Sequence, residues 1–147
     1  MSQAEDATNA VGGEVKVVVV VRTKYPDGKG GTLKPRAGKI VGQAIHAFKA
    51  IFTDKFNEYY CISGDTVNDL ERAWIDDGLS RVIVCKVDTL DELLSVQKKA
   101  SESGVYCNMQ TDAGLTEFRG EKMVTCLALG PALSRDLDLI TGHLQLF

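Results

Sequence analysis

The sequence predicts an α/β domain, with helices packed on a small, mostly parallel or mixed sheet. Three observations carry that expectation. Strand-like and helix-like runs alternate along the chain. The unbroken valines from Val17 to Val21 have the composition of a strand buried on both faces. Apolar residues at 40, 41, 44, 45, 48, 51 and 52 recur at helical spacing. A chain of 147 residues suits one domain.

Residues 1–13 are small and polar and are expected as a flexible tail ahead of a domain spanning 14–147. Glu14 to Arg22 reads as the first strand. Thr23 to Ala37 reads as a loop punctuated by Pro26, Gly28, Gly30, Gly31 and Pro35, long enough to suggest function or disorder. A helix follows from Gly38 to Asp54. Phe56 to Gly64 is expected as a bent connector with an extended piece at Tyr59 to Ile62. Asp65 is the expected N-cap of a helix from Thr66 to Asp77, with Val67, Leu70, Trp74 and Ile75 on one side. Arg81 to Val87 reads as a strand. Asp88 or Thr89 caps a third helix carrying Leu90, Leu93 and Leu94, and Gly104 closes it. Val105 to Met109 reads as a strand and Thr111 to Lys122 as a loop. Met123 to Leu129 is a further strand, expected to stop at Gly130-Pro131. Leu133 to Ile140 is a last short helix before a tail ending at Phe147.

The composition narrows the function classes. Hydrophobic residues make up 44% of the chain, enough for a sizeable core. The net charge is −3, yet the charges are segregated. Residues 14–55 hold nine basic side chains against three acidic ones, and residues 56–147 hold eight against fifteen. A basic patch on an acidic chain fits an anionic partner docking on one face, or else solvated loop charge. The four cysteines, Cys61, Cys85, Cys107 and Cys126, form no CxxC pair or zinc knuckle. Three of them lie in expected strands, as small buried hydrophobes. A reduced, soluble, intracellular protein is expected, with no membrane partner: no apolar leader is evident and the valine run is too short to span a bilayer.

Several motifs can be weighed singly. Gly38-Lys39 fails as a phosphate-binding P-loop, because Leu33 and Ile40 stand where Gly and Ser or Thr are required. Lys39, Gln43 and His46 share one face of the expected helix, at its first turns. A helix start of this kind suits phosphates and oxyanions. His46 and His143 are the two histidines, and neither has a Cys, Asp or Glu at metal-ligand spacing. Either can be structural, and no metal site is expected. Asp112-Ala113-Gly114-Leu115-Thr116 is either a plain turn or a carboxylate and a hydroxyl converging on a substrate.

Together the segments resemble a known family. Leu33-Lys34, Gly38-Lys39, Gln43 and His46-Ala47 follow the pattern L-K-x-x-x-G-K-x-x-x-Q-x-x-H-A of the archaeal and eukaryotic type of peptidyl-tRNA hydrolase, the Pth2 family. Arg72 to Gly78 and Arg81 to Leu94 resemble that family's middle. Asp112 to Glu117 resembles its D-A-G-x-T segment, Thr125 to Pro131 its strand before a G-P turn, and Thr141 to Leu144 its T-G-H-L ending. The likeness runs over residues 15–147. It implies a three-layer α/β fold with a four-stranded mixed sheet flanked by helices. It implies hydrolysis of the ester joining peptide to tRNA, in the cytoplasm and without a cofactor, and it leaves a homodimer open. It places the functional residues at Lys39, Asp112, Thr116 and Thr125. The chain departs from the family's pattern at Ala37, where a second lysine is usual, at Leu115 for arginine, at Gln145 for lysine, and in the longer loop from Thr23 to Leu33.

The expected mechanism is metal-free attack by an activated water. Asp112 orients or deprotonates that water, with Thr116 or Thr125 in the relay. Lys39 stabilises the oxyanion or grips the terminal phosphate. Lys34, Arg36, Gln43 and His46 are the expected substrate-binding residues, and Lys24, Lys29 and Lys49 track tRNA phosphates. No aromatic platform for bases is obvious. The alternative is a member that keeps the fold but little or no turnover and serves as an RNA- or protein-binding module. Ala37, Leu115 and the extended loop favour it.

Overall fold

The computed structural model describes residues 3–59 and 66–147. A five-stranded mixed sheet forms the middle layer, in the order β5-β6-β1-β4-β7. Its strands are β1 (Val15–Arg22), β4 (Val82–Val87), β5 (Cys107–Asp112), β6 (Met123–Leu133) and β7 (Gln145–Leu146). β1 runs parallel to β4 and antiparallel to β6, and β5 and β7 pair antiparallel with β6 and β4. The helices are α1 (Gln3–Val11), α2 (Ala37–Tyr59), α3 (Asp69–Asp76), α4 (Leu90–Glu102) and α5 (Ser134–Thr141). A separate ribbon joins β2 (Tyr25–Pro26) to β3 (Thr32–Leu33).

The valine run works as its composition suggests. Strand alternation sends Val15, Val17, Val19 and Val21 to one face, against Ala47 and Ile51 of α2 and Ala73 and Trp74 of α3. Val18 and Val20 point the other way, against Leu93, Val96 and Ala100 of α4 and Leu137 and Ile140 of α5. All of these valines are essentially buried. Each contributes about 1.5–3 kcal/mol relative to exposure. β1 is therefore the strand on which both helical layers are built.

The architecture corrects the four-stranded expectation: the main sheet has five strands, and a two-stranded ribbon lies beside it. The extra edge strand, β7, falls in the tail after Ile140. Its two residues pair with Lys86 and Cys85, and Phe147 N donates to Val84 O at 2.9 Å. The loop from Thr23 to Ala37 contains the ribbon, its tip tied by Asp27, which accepts from Lys29 N at 2.7 Å and Gly31 N at 2.8 Å. Residues 3–11, expected within a tail, are helical, and Ala7 and Val11 pack against the α2–α3 core.

Boundaries also move. α2 continues past Asp54 to Tyr59, so residues 56–59 are helical rather than a connector; the rest of the extended piece expected at 59–62 lies outside the described residues, as does Asp65. α3 starts at Asp69 with Asn68 as its cap, in a reciprocal capping box with Glu71. Thr89 and Glu92 make the same box at α4. β5 begins two residues later than expected and runs on to Asp112. β6 does not stop at Gly130-Pro131 but continues to Leu133. Gly130 makes this possible. Its φ is +96°, and a Cβ there would lie 2.8 Å from Ala132 N and 2.9 Å from Lys16 O. The register against β1 shifts at this point, between Lys16 and Val18, which absorbs the irregularity.

Candidate active site

Four elements deliver side chains to one point on the α2 face of the sheet. Lys39 comes from the first turn of α2 and Gln43 from one turn further on. Asp112 is the last residue of β5, Thr125 sits near the start of β6, and Thr116 lies in the loop between them. Lys39 Nζ donates to Asp112 Oδ2 at 2.5 Å and to Thr116 Oγ1 at 2.9 Å. Gln43 Nε2 donates to the same Asp112 oxygen at 2.7 Å. Thr125 Oγ1 donates to Gln43 Oε1 at 2.9 Å, which orients the amide. The other carboxylate oxygen, Oδ1, accepts from Gly114 N at 2.8 Å. Gly114 permits that turn: its φ is +81°, and a Cβ would meet Glu121 O at 2.1 Å.

The burial is graded. Side-chain exposure is 9% for Asp112 and 17% for Lys39, Thr125 is buried, and Thr116 is exposed, so the cluster opens on the Thr116 side. Burial pushes the Asp112 carboxyl up. The hydrogen bond from Lys39, the Gly114 N–H and the charges of Lys39 and His46 outweigh it, holding the group below the usual carboxylate range. Asp112 is thus ionised at neutral pH, with one lone pair on Oδ1 left for a further donor. Lys39 has one N–H beyond the two it uses. Among the described residues, the thiol against the cluster is Cys126, which donates to Gln43 O at 3.0 Å, and burial pushes it to about 11. It is a neutral thiol at physiological pH, not a nucleophile.

A wall of stacked groups closes one side. Phe118 lies under the Lys39 ammonium, with 5.4 Å to the ring centroid. Tyr25 meets Phe118 at 4.5 Å between ring centroids, and the Arg22 guanidinium lies 4.3 Å over the Tyr25 ring. Glu117 holds the start of α2, accepting from Arg36 N at 3.1 Å and Arg36 Nε at 2.6 Å. Its carboxylate sits where the helix presents unpaired N–H groups.

The structure brings Lys39, Gln43, Asp112, Thr116 and Thr125 together. Arg36 flanks them through Glu117. His46 is exposed on the same face of α2, and its charge reaches Asp112. Lys34 is exposed on the approach to α2 and joins no hydrogen bond in the cluster. Lys24 is paired with Asp88 at 2.9 Å, while Lys29, Lys34 and Lys49 make no ion pair among the described residues. Sequence reasoning missed Phe118 and gave Glu117 no role. The only available signal was their place just after the D-A-G-x-T segment.

Fold and cluster define the class: a three-layer α/β protein whose polar centre is a clamped lysine–aspartate pair at a helix mouth, beside a cationic loop. The family described as peptidyl-tRNA hydrolase PTH2 matches residues 15–147, and the chain belongs to it. Among its relatives, the peptidyl-tRNA hydrolase of Metallosphaera sedula is 35% identical over 90% of this chain and 99% of that protein. The protein of the same name from Saccharolobus solfataricus is 33% identical over 90% and 98%. That from Methanothermobacter thermautotrophicus is 34% identical over 90% and 99%. Among the described residues no helix is long and apolar enough to cross a membrane.

Proposed function

We propose that the chain hydrolyses the ester between peptide and tRNA in peptidyl-tRNA, freeing tRNA for reuse, through a water held by the Lys39–Asp112 cluster. The observation that carries this reading is the clamp itself: one ammonium bridging a buried carboxylate and an exposed hydroxyl at a helix N-terminus. The water oxygen adds to the ester carbonyl carbon. The bond from that carbon to the ribose 3′ oxygen breaks, and a water proton ends on that oxygen. A carboxylate held below its usual range is a weak base, so Asp112 chiefly aims the water through its free Oδ1 lone pair. The spare N–H of Lys39 and the dipole of α2 meet the negative charge that grows on the carbonyl oxygen. Thr116, at the open side, takes part in passing the proton. Thr125 acts through Gln43, which holds Asp112 in place.

Lys29, Lys34, Arg36 and Lys49 supply phosphate contacts for the tRNA, giving salt-sensitive binding. No step in this scheme passes through a metal. The test is single-turnover cleavage of a purified peptidyl-tRNA by the wild type and Lys39→Ala, with a parallel sample in EDTA. The reading expects a loss on the order of a hundredfold or more in the variant and no effect of the chelator. Equal rates for the two proteins would remove Lys39 from the chemistry. Tight tRNA binding with no peptide release would instead support a binding module with little turnover, the role that Ala37 and the fully outward Leu115 favour.

A further inference from the structure

The open edge of β5 runs straight into the cluster. β5 pairs only with β6 in the sheet, so its other side has no strand among the described residues. Gly130 N donates to Tyr106 O at 2.9 Å, and the register continues as Cys107 opposite Leu129 and Asn108 opposite Ala128. In an antiparallel ladder the bonded pairs alternate. Tyr106, Asn108 and Gln110 therefore turn their main-chain groups to β6, and Cys107 and Met109 turn theirs outward. Exposed edges are usually guarded by charge, proline or brevity. β7, the opposite edge, is only two residues long. β5 has six residues, no proline, and no charged side chain before Asp112. The side chains on its α2 face are already engaged. Tyr106 and Asn108 both bond Asp54, and Gln110 Nε2 donates to Asn108 Oδ1 at 2.5 Å. What the strand offers outward is main chain.

Along the chain, this edge and the cations of the β2–β3 ribbon lead away from Asp112 in opposite directions. Forward from Asp112 the chain leads to Glu117, which holds Arg36, and to Arg119, which bonds Asp27 O at 2.9 Å in the β2–β3 ribbon beside Lys29. Backward from Asp112 it leads along β5. We propose that the peptide part of the substrate adds to the β5 edge as a sixth strand, its ester end at Asp112. This rests on the hydrolytic reading above. The peptide then runs parallel to β5, since its carboxyl end lies at the strand's carboxyl end. Main-chain pairing suits a substrate whose side chains vary, because every peptide carries the same N–H and C=O groups. Six residues of edge cover about 20 Å, enough for several residues of peptide.

The test leaves the protein unaltered. Peptidyl-tRNAs are made with one N-methylated residue, moved stepwise away from the ester. In a strand, alternate residues face the neighbour, so methylation at every second position is expected to lower kcat/KM on the order of fivefold, through KM, and at the intervening positions to change little. Cleavage of every methylated substrate at the unmodified rate, or a uniform loss without alternation, overturns the edge assignment while leaving the hydrolase standing. Failure to cleave the unmodified substrate overturns both. A stable dimer by sedimentation, with the Cys107 and Met109 amides protected from exchange before substrate is added, places a second copy on the edge and also overturns it.

Discussion

Replacing Lys39 by methionine tests the electrostatics of the cluster directly. The substitution keeps the aliphatic stem but removes the charge and both hydrogen bonds, leaving a carboxylate that is 9% exposed with Gln43 Nε2 and Gly114 N as its remaining donors. A hydrogen bond to a charged group contributes about 1.5–3 kcal/mol, and a buried charge that loses its partner is strongly destabilising. Lys39 is itself 17% exposed, so water recovers part of the loss. We expect the variant to be less stable by about 2–3 kcal/mol at pH 7. In urea that is a midpoint lower by roughly 1 M. The sign of the pH dependence follows from the carboxyl. In the wild type its folded pKa is depressed, so its stabilisation is complete above the unfolded value, about 3.9, and is lost as pH falls through the folded value. Without Lys39, burial is opposed only by weaker donors and the depression shrinks or reverses. The gap between the two proteins should therefore narrow as pH drops from 7 through the ordinary carboxylate range. Urea melts at pH 7 and in acid measure this. A gap that is absent at pH 7, or constant down to acid, refutes the account of Asp112 as an ion held by Lys39.

Asp112→Asn keeps the shape of the cluster and removes its charge, and single-turnover cleavage should fall by about 10²–10⁴; an unchanged rate removes the carboxylate from water activation. Thr125→Val leaves Gln43 Oε1 without its donor, and thermal melting should show a loss of about 1 kcal/mol, with cleavage slowed and tRNA binding unaltered. Exchanging Lys29 and Lys34 together for glutamine should flatten the plot of log affinity against log salt by about one to two units, with little change in the rate at saturating substrate; an unchanged slope moves the tRNA path elsewhere.

The parts of the fold that could be read were those set by local chemistry. The double-faced valines of β1, the apolar stripe of α2 and the start of α4 at Asp88 or Thr89 each announce themselves within a few residues. What escaped depends on distant partners. β7 is too short to show an alternating pattern and exists because β4 offers an edge. α1 has little apolar character of its own and is helical against α3 and the core beside it. The extension of β6 past a Gly-Pro pair needs a main-chain geometry that only glycine supplies at 130. At the site, Lys39 and Gln43 were legible as one helix face, but their relation to Asp112 and Thr125 was not. Asp112 alone read more readily as a turn residue than as part of a site, and the family resemblance was needed to join it to Lys39. The wall of Phe118, Tyr25 and Arg22 left no trace in spacing, because Phe118 lies nearly a hundred positions from the other two and meets them through the ribbon.

The order of strands has a biological corollary. β6 lies between β1 and β5, so Asp112 reaches Lys39, 73 positions earlier, only after β6 has entered the middle of the sheet. During its own synthesis this polypeptide is itself an ester-linked nascent chain on the ribosome. On the proposed reading, a chain whose last third has not yet emerged and docked lacks the assembled Lys39–Asp112 pair that would act on such a linkage.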